Sequence, residues 1–309
     1  MIGLVALLAA TFLVLAAGTA RADGPPRVVA SIKPVHSIAA AVMKGAGEPQ
    51  LLLSGAASPH SYALKPSDAR KLADAELVFW IGPAFETFLT KPIATLAPDA
   101  SVVTLAEAAG VRLLSARRGG LWQDATNHEH AGEAEDGFDG HVWLDTANAA
   151  AMAQAMADAL GRADPENAEH YASRAERFAL RMQALDDRIG AILAPVRGRP
   201  YIVFHDAYRY FEARYGLRPA GAVAVSPDRP VPARRIAELR GAIRASGAIC
   251  VFSEPQFPPR LLDTLTAGTS AKRGVLDPLG AGLAEGPGLY DALILGIANA
   301  LADCLGASL

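Results

Sequence analysis

Short β-branched runs alternate along the chain with longer amphipathic stretches rich in alanine and leucine, and that alternation predicts βαβ units with parallel sheets. Arg27–Lys33, Gln50–Leu53, Leu77–Ile81 and Ser101–Leu105 are the candidate strands of the first half. Tyr201–Phe204, Gly221–Val225, Ala248–Phe252 and Arg273–Leu276 are those of the second. Helical patterns such as Ser37–Lys44, Pro66–Ala73 and Pro232–Ala245 fall between them. The expected fold class is α/β, with two lobes, each a mainly parallel four-stranded sheet flanked by helices, joined by one long backbone helix.

That helix is the most regular pattern in the chain. Asp164-Pro165 offers an N-cap followed by a proline at the first helical position. Tyr171, Ala175, Phe178, Met182, Leu185, Ile189 and Ile192 recur at spacings of four and three, which places them on one stripe, and Pro195 ends the run. About 29 residues at about 1.5 Å each give roughly 43 Å. Such a helix reads either as a strut running along both lobes and limiting hinge closure, or as an ordinary long core helix. The expected boundaries are 23–163 for the N-terminal lobe, 164–195 for the linking helix and 196–309 for the C-terminal lobe.

The alternation fails in two places. Ile2 to Ala20 is almost wholly apolar or small, and Ala20-Arg21-Ala22 fits a small-residue cleavage site, so residues 1–22 read as an export signal cleaved after about Ala22. The run is also long enough to be an uncleaved anchor. No cysteine stands near the cleavage site to carry a lipid. Between Arg117 and Gly140 the pattern gives way to Gly119-Gly120, His128, His130 and the acidic residues Asp124, Glu129, Glu133, Glu135, Asp136 and Asp139. A segment of that kind is either a weak metal-binding tract or a solvated linker.

Composition narrows the function. With 309 residues, 51% of them hydrophobic and 20% charged, the chain has enough apolar material for two ordered cores. A net charge of −3 excludes the basic face that a nucleic-acid partner needs. Cys250 and Cys304 are the only cysteines. In an oxidising exported compartment an even pair reads as one disulfide, closing a loop of about 55 residues worth roughly 3–4 kcal/mol, with two buried free thiols as the alternative.

The candidate chemistry lies in three histidines. His60 sits in Ser-Pro-His-Ser-Tyr, His141 in Asp-Gly-His-Val-Trp-Leu-Asp and His205 in Val-Phe-His-Asp-Ala-Tyr. Parallel sheets bind ligands beyond the carboxyl ends of their strands. His205 and Asp277 each follow directly on a predicted strand, His60 lies in the loop after Gln50–Leu53, and His141 ends the acidic loop. Two groups from each lobe can therefore meet in a cleft. Neutral imidazoles suit zinc, and a carboxylate or water completes a tetrahedron. Asp277 reads as that fourth ligand or as a cap for the turn at Asp277-Pro278. His36 and His170 read as surface residues, Glu254 as a partner orienting a histidine ring or pairing elsewhere, and Trp80, Trp122 and Trp143 as packing residues.

These motifs resemble the zinc-specific substrate-binding proteins of bacterial ABC importers, the ZnuA-type group. The resemblance is carried by Ser31-Ile32-Lys33-Pro34, by residues 55–68 from Gly55 through Ser58-Pro59-His60-Ser61-Tyr62 to Asp68, and by Asp139-Gly140-His141-Val142-Trp143-Leu144-Asp145. It continues in Phe204-His205-Asp206-Ala207-Tyr208, Ser253-Glu254-Pro255-Gln256-Phe257 and Leu276-Asp277-Pro278-Leu279-Gly280. It implies His60, His141 and His205 as zinc ligands between two lobes, an acidic His-bearing insertion that is short and histidine-poor here, and a disulfide found in some members. Where some members carry a glutamate before the first histidine, this chain has Pro59, which leaves the fourth position to Asp277 or water. A histidine at 205 rather than a carboxylate favours zinc over manganese or iron. The implied role is capture of zinc in the periplasm by a monomer and delivery to an ABC-type membrane permease. The rival readings are an exported zinc hydrolase, for which no His-Glu-x-x-His helix is present, a manganese- or iron-binding relative, and an adhesin of the same fold.

Overall fold

The computed structural model describes residues 24–117, 137–224, 233–257 and 260–306. The export-signal reading for 1–22, and most of the acidic segment with His128, His130 and Trp122, lie outside the described residues.

Two four-stranded parallel sheets form, as the alternation predicts. The first contains β1 (Val28–Ile32), β2 (Gln50–Leu53), β3 (Leu77–Trp80) and β4 (Ser101–Thr104) in the order β2-β1-β3-β4. The second contains β5 (Tyr201–His205), β6 (Gly221–Ala224), β7 (Cys250–Ser253) and β8 (Lys272–Val275) in the equivalent order β6-β5-β7-β8. The central strands are buried along their whole length, Val-Val-Ala-Ser-Ile in β1 and Tyr-Ile-Val-Phe-His in β5, as parallel strands covered on both faces must be. Ile32 pairs with Leu53, and His205 with Ala224, so both sheets end level at their carboxyl edges.

Several element ends differ from expectation. Helix α1 (Lys33–Met43) starts four residues before Ser37, because Pro34 fits the first helical turn and lets the helix begin directly at the end of β1. Strand β5 takes in His205 itself. Strand β8 ends at Val275, so Asp277 is separated from it by Leu276. Asp164 does not cap the long helix. Its carboxylate accepts from Asn167 Nδ2 and Tyr171 Oη, both at 2.8 Å, across a 3-10 turn at Pro165–Asn167.

The long helix then runs over Ala168–Leu193; α2 (Pro66–Ala73), α3 (Thr87–Leu96) and α4 (Thr146–Ala163) precede it, which makes it α5. Tyr171, Ala175, Phe178, Met182, Leu185 and Ile189 form its buried stripe, which Leu193 completes in place of the half-buried Ile192. Four further helices follow: α6 (Arg209–Tyr215), α7 (Ala233–Ala245), α8 (Arg260–Thr266) and α9 (Leu289–Gly306). The stripe of α5 packs on α1 and α4 at one side and on α9 at the other, joining both lobes in a single core. Helix α9 is apolar and long enough to cross a membrane, but one face lies in that core and Cys304 is disulfide-bonded to Cys250 at the start of β7.

The lobes are pinned to each other by polar groups. Lys33, at the N-terminus of α1 and 4% exposed, donates from Nζ to the carbonyls of Gly280 (2.8 Å), Ala281 (3.1 Å) and Leu283 (2.7 Å). Ser37, one turn on, donates to Gly286 O at 2.7 Å and accepts from Tyr290 N at 3.0 Å. Gly280 has φ +71°, a conformation that favours glycine. Replacing Lys33 with methionine keeps most of the buried volume but leaves these carbonyls without their donor. Lys33→Met is expected to lower stability by about 3 kcal/mol, read as a lower urea midpoint at unchanged slope. An unchanged midpoint would show that the clamp contributes nothing.

Candidate metal centre

Each of the three histidines is delivered by a different local device. His205 is the last residue of β5 and is fixed by the strand ladder. His141 precedes the 3-10 turn Val142–Leu144, after which Asp145 caps α4 by accepting from Ala147 N at 2.8 Å. The segment leading to it is tied down by Asp139 N donating to Leu114 O at 2.8 Å, and by the bridge between Ser115 and Phe138. Tyr210 from the other lobe joins both strands of this neck: its hydroxyl accepts from Leu114 N at 2.9 Å and donates to Asp139 O at 2.8 Å. His60 is held least. Its backbone N–H donates to Ser58 Oγ at 3.3 Å within its own loop, which apart from the buried Pro59 is half-buried or exposed.

The structure brings these three together. Their ligand nitrogens all lie within 4.8 Å of one another, in a cleft of about 250 Å³ that is open to solvent. His141 Nε2 and His205 Nε2 are 3.3 Å apart. Zinc–nitrogen bonds of about 2.0–2.1 Å at tetrahedral angles require an edge of about 3.3–3.4 Å, so this pair already has the spacing of two zinc ligands. The ring centroid of His60 lies 5.6 Å from each of the other two, against 5.1 Å between those two, so His60 is the outlying member.

Hydrogen bonds fix which nitrogens face the centre. His141 Nδ1 is 2.7 Å from Asp139 Oδ1, and His205 Nδ1 lies 2.8 and 2.9 Å from the two oxygens of Glu254. A carboxylate only accepts, so both Nδ1 atoms donate and both neutral rings turn a lone pair inward at Nε2. Two lone pairs at 3.3 Å repel unless a proton or a metal ion lies between them. Phe85 backs the site, its ring 5.1 Å from both His60 and His141 and 5.0 Å from Trp143. A Cβ on Gly140 would come within 2.7 Å of Phe85, which explains the glycine before His141.

Asp277 is not brought into this cluster. Its Oδ1 accepts from Leu279 N (3.1 Å), Gly280 N (2.9 Å) and Gln256 Nε2 (3.2 Å), and its Oδ2 accepts from Ala281 N (2.6 Å). The turn-capping reading describes this placement, with both oxygens satisfied on the loop that receives Lys33. His36 is buried rather than on the surface, and its Nε2 donates to Pro49 O at 3.0 Å. His170 is surface-facing and bonded to Lys44 O. Trp143 packs and donates to Pro278 O at 2.8 Å. Sequence reasoning assigned no role to Asp139, Phe85 or Lys33. Only Asp139 carried a usable signal, an acid two residues before a metal-type histidine.

Three imidazoles between two α/β lobes, two buried and one half-buried, form a cluster that could hold a metal ion, as in a two-lobed metal-binding protein. Residues 28–304 match the family described as zinc-uptake complex component A, periplasmic, and the chain belongs to that family. It is 45% identical over 327 residues to the high-affinity zinc uptake system protein ZnuA of Brucella abortus, covering 96% of this chain and 97% of that protein. Identity to the ZnuA of Paracoccus denitrificans is 37%, covering 96% of this chain and 98% of that one. A crystal structure of ZnuA superposes with a TM-score of 0.77 over 91% of this chain and all of that one, at 24% identity.

The two ends of the cluster differ in proton affinity. Burial, and then the charges His141 and His205 can carry, hold His60 down to a pKa of about 3. Burial also disfavours charge on His205, but the Glu254 carboxylate outweighs it and raises His205 above the ordinary imidazole value. Protons compete with metal for the same lone pairs. Metal affinity is therefore expected to fall as pH drops from about 8 to about 5, with fewer than three protons released per ion because His60 is already bare. Affinity that is flat over this window, or release of three protons, would contradict the assignment.

Proposed function

We propose that this chain captures zinc in the periplasm and delivers it to an ABC-type membrane permease for import. The observation that carries the reading is the His141–His205 pair, whose inward lone pairs stand 3.3 Å apart at tetrahedral zinc spacing. His60 closes on the ion as the third ligand. Water is the fourth, since Asp277 would have to leave four hydrogen bonds to reach it. The relatives' names, high-affinity zinc uptake system proteins, support zinc as the cargo.

The chain acts as a monomeric carrier, not an enzyme. Glu254 is the carboxylate that lines the cleft and could serve as a hydrolase's general base, and both its oxygens are held by His205 Nδ1 at 2.8 and 2.9 Å. Residues 1–22 serve as the cleaved export signal. Residues 23–163 and 196–309 are the two lobes, and 164–195 is the helix that joins them.

Titration of metal-stripped mature protein against a competing chromophoric chelator is expected to give one tightly bound zinc per chain, with manganese far weaker. Removing any one histidine should cost more than the roughly 100-fold that an outer hydrogen-bond partner is worth. Absence of tight zinc binding would remove the proposal. His205→Glu is expected to shift preference toward manganese, because a hard oxygen replaces an imidazole; an unaltered zinc-to-manganese ratio would refute the selectivity argument.

A further inference from the structure

We propose that Asp139 and Glu254 are positioning residues that match the three-histidine site electrically to a divalent ion. The inference rests on the reading that His60, His141 and His205 hold the metal. Three neutral imidazoles leave the two positive charges of zinc uncancelled among their own atoms. Charge in a buried site has to be compensated nearby, or the ion is held weakly.

Two carboxylates stand one ring behind the metal position. Asp139 is 7% exposed and accepts from both the backbone N–H of His141 (3.0 Å) and its Nδ1 (2.7 Å). Glu254 is 3% exposed and accepts from His205 Nδ1 with both oxygens. Among the described residues neither makes an ion pair with lysine or arginine. Asp206, which also faces His205, differs in this respect: it pairs with Arg117 at 3.0 Å. Asp139 and Glu254 thus place two carboxylates, one behind each of the two best-placed histidines, with Arg209 near Asp139 but in no ion pair with it among the described residues.

A second consequence separates charge from orientation. Nδ1–H of an imidazole can be held by any acceptor oxygen, and an amide would do. Only a carboxylate adds charge. Glu254→Gln and Asp139→Asn each keep an acceptor for the ring and remove one negative charge.

The test compares zinc(II) with copper(I), a monovalent ion that also accepts imidazole ligands, by chelator competition on the full mature chain, with copper(I) kept under reductant. Each amide variant is expected to lose about 10–100-fold in zinc affinity. Copper(I) affinity should fall distinctly less, so that the zinc-to-copper(I) ratio drops. Cobalt(II) bound to the variants should keep the visible spectrum of wild type, because the ligand set is intact. Unchanged zinc affinity in both variants, or equal losses for both ions, would overturn the inference while leaving tight zinc binding by wild type untouched. Should Glu254→Gln fail to fold, Asp139→Asn alone decides, since it reports on the opposite lobe. Wild type that binds no zinc tightly would remove the functional reading itself.

Discussion

The arrangement depends on one buried ammonium. Beside the core that α5 makes between the lobes, Lys33 closes a polar inter-lobe contact, and its three N–H groups go to three carbonyls of one loop, Gly280, Ala281 and Leu283. Asp277 works on the amides of that same loop, so a single turn is organised by a carboxylate on its N–H groups and by an ammonium on its C=O groups. Pro278 and Leu279 of this turn line the metal cleft, and Pro278 O receives the Trp143 indole N–H. The clamp is therefore also a wall of the site. A buried lysine is costly unless all its donors are satisfied, and here they are, which makes this contact specific to one relative placement of the lobes.

Given fixed lobes, the three histidines form a graded set. His205 sits in a strand, His141 in a neck held from both lobes, and His60 on a loop whose bond to Ser58 Oγ stays within the loop. The first two are oriented by carboxylates and the third by an aromatic edge, Phe85. Electrostatics follows the same gradation. The Glu254 carboxylate raises His205 above the ordinary imidazole value, and His60, without a carboxylate behind it, resists protonation down to a pKa of about 3.

Much of this was legible in the sequence because it depends on period and on strand ends. Eight strand cores, the buried stripe of α5 and the three histidine loops all follow from hydrophobic alternation and the rule that parallel sheets bind at their carboxyl edges. Boundaries slipped where local chemistry overrode pattern. Pro34 pulled α1 forward, and Asp164 served Tyr171 and Asn167 rather than a helix N-terminus. Asp277 stayed open between two readings for a physical reason: an Asp-Pro after a strand serves equally as ligand or turn cap, and the choice depends on which amides the loop presents. Lys33 was invisible, because a lysine reads as surface until the carbonyls 247 residues away are brought to it.

A carrier has to bind its ion tightly and still let it go, and those demands fall on different residues here. Affinity requires ligands held in place before the ion arrives, since any ordering during binding subtracts from it. His141 and His205 meet that requirement at 3.3 Å. Release requires that at least one bond break without disturbing the rest. With Lys33 and Ser37 pinning the lobes, opening the cleft by moving one lobe from the other would break their five hydrogen bonds and also those that Trp143 and Tyr210 make between the lobes. Moving the His60 loop would break its edge contact with Phe85, while the bond from His60 N to Ser58 Oγ lies within the loop and travels with it. The cheaper motion exposes the His141–His205 pair to solvent while their carboxylates keep them oriented. That division, two fixed ligands and one yielding, lets a rigid two-lobed frame serve as a carrier.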